Sequence, residues 1–163
     1  MTKFAHILVP IDFGEASDLA LETALALASK FDATVTLLHA SWVPTEHYAL
    51  SGEGIHWPVA AVSDAARKSF DAALAEAKLR YPRVDGVFVT AEPRHAILDV
   101  ATGRKCDLIV MGTHGRRGLT RVLMGSVAER VVRTSPIPVL TLSGKAEREQ
   151  KQRLLPAPST DPA

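Results

Sequence analysis

Ile109–Val131 reads IVMGTHGRRGLTRVLMGSVAERV. The stretch begins as an aliphatic strand and ends with the spacing of a helix. Between the two lie Gly112, Gly115, Gly118 and Gly125, together with Arg116, Arg117 and Arg121. A strand, a flexible basic link and a helix form the unit from which open α/β sheets are built. Glycine lets such a link turn sharply and approach another group closely. A helix start offers N–H groups without intrahelical partners and a partial positive charge, which together suit an anion. The residues leave a plainer reading open. Gly112 is compatible with an ordinary turn, and Ser126 with Glu129 has the Ser-x-x-Glu spacing of a capping box, which needs no ligand.

The same alternation extends outward in both directions. His6–Asp12, HILVPID, is apolar through its middle, as a strand covered on both faces must be. Ser17 is the expected N-cap of the next helix, with Asp18 in its first turn. Ala20, Ala24, Leu27, Ala28 and Phe31 then recur at helical spacing. Thr34–His39 is rich in β-branched residues and reads as a second strand. Val62, Ala66, Phe70, Ala73 and Ala77 predict a long amphipathic helix. Val84–Thr90 is a third strand, and a short helix after Pro93 carries Ile97, Val100 and Ala101 on one side. Asp107–Met111 is a fourth strand, Gly125-Ser126 opens a fourth helix, and Val139–Leu142 is a fifth strand. Pro136 and Pro138 cannot donate to a ladder, which places that last strand at a sheet edge. Strands alternating with helices predict an α/β fold with a parallel sheet and helices on both faces.

Composition bounds the function. The chain has 163 residues, a length expected of one domain, and 47% of them are hydrophobic, enough for a single core. Nineteen basic residues against 18 acidic give a net charge of +1, which argues against a dedicated nucleic-acid partner. No apolar run is long enough to span a bilayer or to act as a signal peptide, so a soluble, cytoplasmic protein with no membrane partner is expected. Cys106 alone supports neither a disulfide framework nor a metal site. Residues 42–60, with Trp42, His47, Tyr48, His56 and Trp57, have no clear period and read as loop. Glu46, His47, Glu53 and His56 are of metal-ligand type, but their spacing matches no recognised site. Residues 144–163 are charged and then proline-rich, and read as a disordered tail after one domain at 1–143.

Two phosphate-binding motifs are excluded. A Walker A loop ends in Gly-Lys-Ser or Gly-Lys-Thr, and neither tripeptide occurs. A dinucleotide fingerprint would place its glycines after the first strand, whereas here they follow the fourth.

Gly112-x2-Gly115-x9-Gly125-Ser126 resembles the ATP-binding signature of the universal stress protein family. His6–Asp12, Leu37-Leu38-His39-Ala40, Asp107–Gly115 and Ser135–Leu140 resemble that family's first, second, fourth and fifth strand regions, so the likeness covers residues 1–143. It implies an open five-stranded sheet in the order 3-2-1-4-5, a Rossmann-like arrangement of the adenine nucleotide α-hydrolase kind. It also implies ATP as ligand, with AMP or ADP as alternatives and magnesium held through the phosphates. Pro10, Ile11 and Asp12 would line the nucleoside end, and Ala40 would meet adenine through its backbone. Met111, Gly112, His114 and Gly115 would border the ribose and first phosphates. Gly125, Ser126 and Val127 would offer amides, and Ser126 its hydroxyl, to the outer phosphates. A homodimer through Val139–Leu142 is implied as well. Thr90-Ala-Glu-Pro93 departs from the family, many members of which carry a glycine there.

Hydrolysis needs a positioned water and a base. His114 and Asp12 belong to no evident base-and-orienter pair, so no catalytic residue is assigned. The expected function is a nucleotide-binding regulatory module in the stress response, with slow or no ATP turnover. A nucleotide-independent interaction module of the same fold is the alternative.

Overall fold

The computed structural model describes residues 3–42, 59–113 and 124–143, with backbone alone for 59–61. His114, Gly115, the three arginines of the link, the 43–58 segment and the tail lie outside the described residues.

Among the described residues nine elements alternate: β1 (His6–Pro10), α1 (Glu15–Phe31), β2 (Thr34–Ser41), α2 (Val59–Arg80), β3 (Val84–Thr90), α3 (Pro93–Gly103), β4 (Leu108–Gly112), α4 (Ser126–Thr134) and β5 (Val139–Leu142). The five strands form one parallel sheet in the order β3-β2-β1-β4-β5, as the resemblance implies. β1 is central and apolar at both faces, as a strand covered on both sides must be: Ile7, Leu8 and Val9 are wholly buried.

The period of two along each strand sorts side chains between two cores. Ile7 and Val9 of β1, Val35 and Leu37 of β2, and Leu108 and Val110 of β4 face one layer, which α1 covers with Ala20, Ala24, Leu25 and Ala28 and α2 with Phe70 and Ala77. Leu8, Leu38, Ile109 and Met111 face the opposite layer, closed by Ile97 and Ala101 of α3 and by Ala128 and Val131 of α4. Burying a side chain such as Leu8 contributes about 2 kcal/mol, and truncating it to alanine would cost about 2–5 kcal/mol once the cavity is included.

The small residues of α1 have a purpose in this packing. Alanine at the buried positions brings the helix axis close to the sheet, across β1 and β4. Asp32 ends the helix at φ 59°, its N–H donating to the Ala28 carbonyl. The Tyr81 hydroxyl, just past α2, donates to the Ala33 carbonyl at 2.7 Å and ties α2 to the α1–β2 turn.

Three local expectations are corrected. β1 pairs with β2 only as far as Pro10, so Ile11 and Asp12 lie beyond the strand. α1 starts earlier than its Ser-Asp pair suggests: Gly14 is the N-cap, and Ser17 lies inside the first turn, 3% exposed. Val62, assigned to the apolar stripe of α2, is 45% exposed.

Candidate functional site

β1 and β4 are neighbours whose following helices leave to opposite faces, α1 to one and α4 to the other. The sheet opens between them, at the topological switch point where open α/β sheets bind ligands. A cleft of about 270 Å³ occupies that position, near the lower end of the range for small-molecule sites.

Pro10, Ile11 and Asp12 line it from the end of β1, and Ala40 from β2. Met111 and Gly112 close it from β4, and Gly125, Ser126 and Val127 from the start of α4. Every described residue among those singled out from the sequence therefore borders one cleft, although Asp12 and Gly112 are far apart in the chain. Ser17, Leu38, His39, Pro93, Ile97, Thr113 and Ala128 also line it. Pro93 and Ile97 were legible in principle, since a helix following a strand's carboxyl end must start on the same side of the sheet as the cleft. Ser17 and His39 carried no signal beyond their place in helix and strand patterns.

The turn after β1 is tightly held. The Ile11 N–H donates to the Leu38 carbonyl at 2.8 Å, and the Ile11 carbonyl accepts from His39 Nδ1 at 2.8 Å. A carbonyl can only accept, so His39 carries its proton on Nδ1. Phe13 sits at φ 60°, a conformation costly for a bulky residue, by about 1–3 kcal/mol. Its ring packs on His39 at 4.6 Å, and His39 packs on Phe88 at 5.5 Å. The Arg67 guanidinium lies 5.1 Å from the Phe88 ring. Asp12 Oδ1 accepts from the Gly14 N–H at 3.0 Å, an Asx turn at the head of α1. The Ser17 hydroxyl donates to the Gly14 carbonyl at 2.9 Å and accepts from the Asp12 N–H at 3.4 Å. Burial, followed by the charges of Asp12, Glu76 and Glu22, pushes the Asp18 carboxyl above its usual range.

The opposite wall is backbone. The chain leaves the sheet at Thr113 and returns at Gly125, whose N–H donates to the Thr113 carbonyl and closes the neck of the intervening segment. Gly125 is the N-cap of α4 and has no side-chain capping bond. The capping box that the Ser-x-x-Glu spacing left open does not form: Ser126 is the first helical residue, and Glu129 pairs with Arg133 at 2.7 Å instead. The amides of Ser126, Val127 and Ala128 lack intrahelical partners and carry the positive end of the helix dipole. The described wall thus offers an apolar slot at Ile11, Ala40 and Ile97 and a cluster of peptide donors at α4. Such a cleft suits a flat ring joined to a polyanion. Asp12 and His39 are its ionisable side chains among the described residues. Among the described residues no group of histidine, cysteine and carboxylate side chains could hold a metal ion, and no helix is long and apolar enough to cross a membrane.

The family model of the Universal stress protein family matches residues 3–143. Universal stress protein MJ0531 of Methanocaldococcus jannaschii is 34% identical over 144 residues, covering 85% of this chain and 82% of that protein. The chain spans only 45% of the mycobacterial relatives it also matches. Universal stress protein UspA from Lactobacillus plantarum superposes with a TM-score of 0.71 at 25% identity, covering 87% of this chain and 99% of that one. The universal stress protein from Archaeoglobus fulgidus, solved in complex with dAMP, shares the fold at a TM-score of 0.60 and 20% identity, covering 86% and 99%. With a family match from the first strand to the last and a relative this similar across most of both chains, the chain belongs to the universal stress protein family.

Proposed function

We propose that this protein binds an adenine nucleotide, ATP foremost with AMP or ADP as alternatives, in the cleft between β1 and β4, and that it acts as a nucleotide-dependent regulatory module in the stress response. The observation that carries the reading is the convergence of the Asp12 turn, Ala40 and the α4 amides on one cleft. The base would lie against Ile11 and Ala40, and the phosphates at Gly125, Ser126 and Val127. His114 and Gly115 belong to the same proposed site through the glycine pattern. The dAMP held by the Archaeoglobus protein is of the same ligand class. Magnesium would be carried on the phosphates and water. Turnover is expected to be slow or nil, because Asp12 and His39 are both already engaged by neighbouring groups. The binding unit is residues 1–143, and the working compartment is the cytoplasm.

β5 is an edge strand with Leu140 exposed, and we propose that two copies pair there. A thermal-shift series with ATP, ADP, AMP and cyclic AMP, with and without magnesium, tests the ligand. Stabilisation by at least one of them is expected, and none at millimolar concentration would overturn the reading. Light scattering tests the pairing: a dimer that Leu140→Lys converts to a monomer is expected.

A further inference from the structure

The Ile11 carbonyl has the wrong partner for a sheet. Along β2, Leu38 faces β1: its carbonyl accepts from the Ile11 N–H, and Leu38 pairs with Pro10. Side alternation makes Ala40 the next β2 residue to face β1. In a continuing parallel ladder the Ala40 N–H would donate to the Ile11 carbonyl, and the Ala40 carbonyl would accept from Phe13. The pairing instead stops at Pro10, and His39 Nδ1–H takes the Ile11 carbonyl at 2.8 Å. Ala40 lines the cleft at the place where β1 would have covered it.

We propose that His39 is a positioning residue that ends the β1–β2 ladder and thereby turns the Ala40 N–H and carbonyl into the base-reading edge of the cleft. The inference rests on the nucleotide reading above and adds the device that makes it selective. Two attachments serve the same end. His39 holds the residue before Asp12 by a hydrogen bond and the residue after it by stacking on Phe13. The stack maintains Phe13 at φ 60°, the conformation that takes the chain away from β2 and into the Asx turn. An N–H and a carbonyl from one residue present a donor beside an acceptor. Adenine offers the matching pair, an acceptor at N1 beside the donor of its 6-amino group, whereas a 6-oxo purine offers the reverse order.

Two variants separate the bond from the ring. His39→Phe keeps a ring for Phe13 and Phe88 but loses the donor. His39→Asn places an amide N–H at the same distance along the side chain but loses the ring. Loss of one such hydrogen bond is worth about tenfold in affinity. The expected result is that His39→Phe weakens AMP about tenfold and brings the AMP-to-IMP affinity ratio near one, with inorganic triphosphate binding unchanged. His39→Asn should recover most of the AMP affinity. In the ligand-free protein, amide exchange at Ala40 should slow in His39→Phe as the ladder extends. A wild-type ratio preserved in His39→Phe, or an Ala40 amide that exchanges at the wild-type rate there, overturns the proposal. Wild-type protein that binds neither purine overturns the nucleotide reading instead, and the Ala40 exchange rate then decides the ladder claim alone.

Discussion

A Cβ placed on Gly112 would sit 2.8 Å from both the carbonyl carbon and the Cβ of Ala16. The last residue of β4 and the first turn of α1 thus touch backbone to backbone, and no side chain fits between them. The glycine that opens the sequence motif is demanded by this packing before any ligand is considered. Gly112→Ala is therefore expected to destabilise the nucleotide-free protein by about 1–3 kcal/mol, as overpacked sites do, lowering its melting temperature by several degrees. Calorimetric melting without ligand measures this. A variant that melts with the wild type would show that α1 moves aside at no cost.

Ser126 allows the amide and the hydroxyl to be weighed separately. It is the first residue of α4, where proline is well tolerated, and Gly125 before it is extended at φ −58° and ψ 149°. Ser126→Pro removes one N–H while keeping the helix start. With phosphates at the α4 amides, it should weaken ATP about ten- to a hundredfold, as loss of a hydrogen bond to a charged group does. Ser126→Ala should cost about tenfold at most. Titration calorimetry on both variants orders the two effects, and an unaltered Ser126→Pro affinity would move the phosphates elsewhere.

Cys106 should be chemically silent in the folded protein. It is 5% exposed, and burial, aided by the neighbouring Asp107 charge, pushes its thiol up to about 11. At pH 8 almost none is thiolate, the reactive form. Alkylation followed by intact mass should show no adduct on native protein and one after denaturation.

Arg80 holds Glu22 through both carboxylate oxygens and so joins α2 to α1. Those hydrogen bonds, against a smaller opposing effect of burial, lower the Glu22 carboxyl below its ordinary 4.5. A group depressed by folding stabilises the native state above its ordinary value and ceases to do so as the pH falls through its native one. Glu22→Gln should cost up to about 1 kcal/mol at neutral pH, in keeping with an exposed ion pair. The difference from wild type should close below pH 4.5. Denaturant melts at pH 7 and pH 3 compare the two proteins, and a gap that persists at pH 3 would assign the effect to packing.

The strand pattern was legible because β1 and β4 are apolar on both faces, so burial and sequence say the same thing. Val84–Thr90 and Val139–Leu142 are strands at those bounds. The ends were less legible because tertiary contacts set them. Ser17 has the chemistry of a cap, yet its hydroxyl serves the Asp12 turn, and Gly14 starts the helix. Ser126-x-x-Glu129 has capping-box spacing, but Glu129 finds Arg133 one turn along the helix. Pro10, Ile11, Asp12, Ala40, Met111, Gly112, Gly125, Ser126 and Val127 of the cleft were found by motif. His39 was not, because its part depends on where β1 stops, and a strand's last rung is invisible in a hydrophobic pattern.

The bond from Gly125 to Thr113 gives the chain a common point of departure and return. β4 and the start of α4 are thereby tied to each other directly, backbone to backbone. The β4–α4 junction and the sequence between its two ends are therefore separate targets, and selection can act on one without first undoing the other.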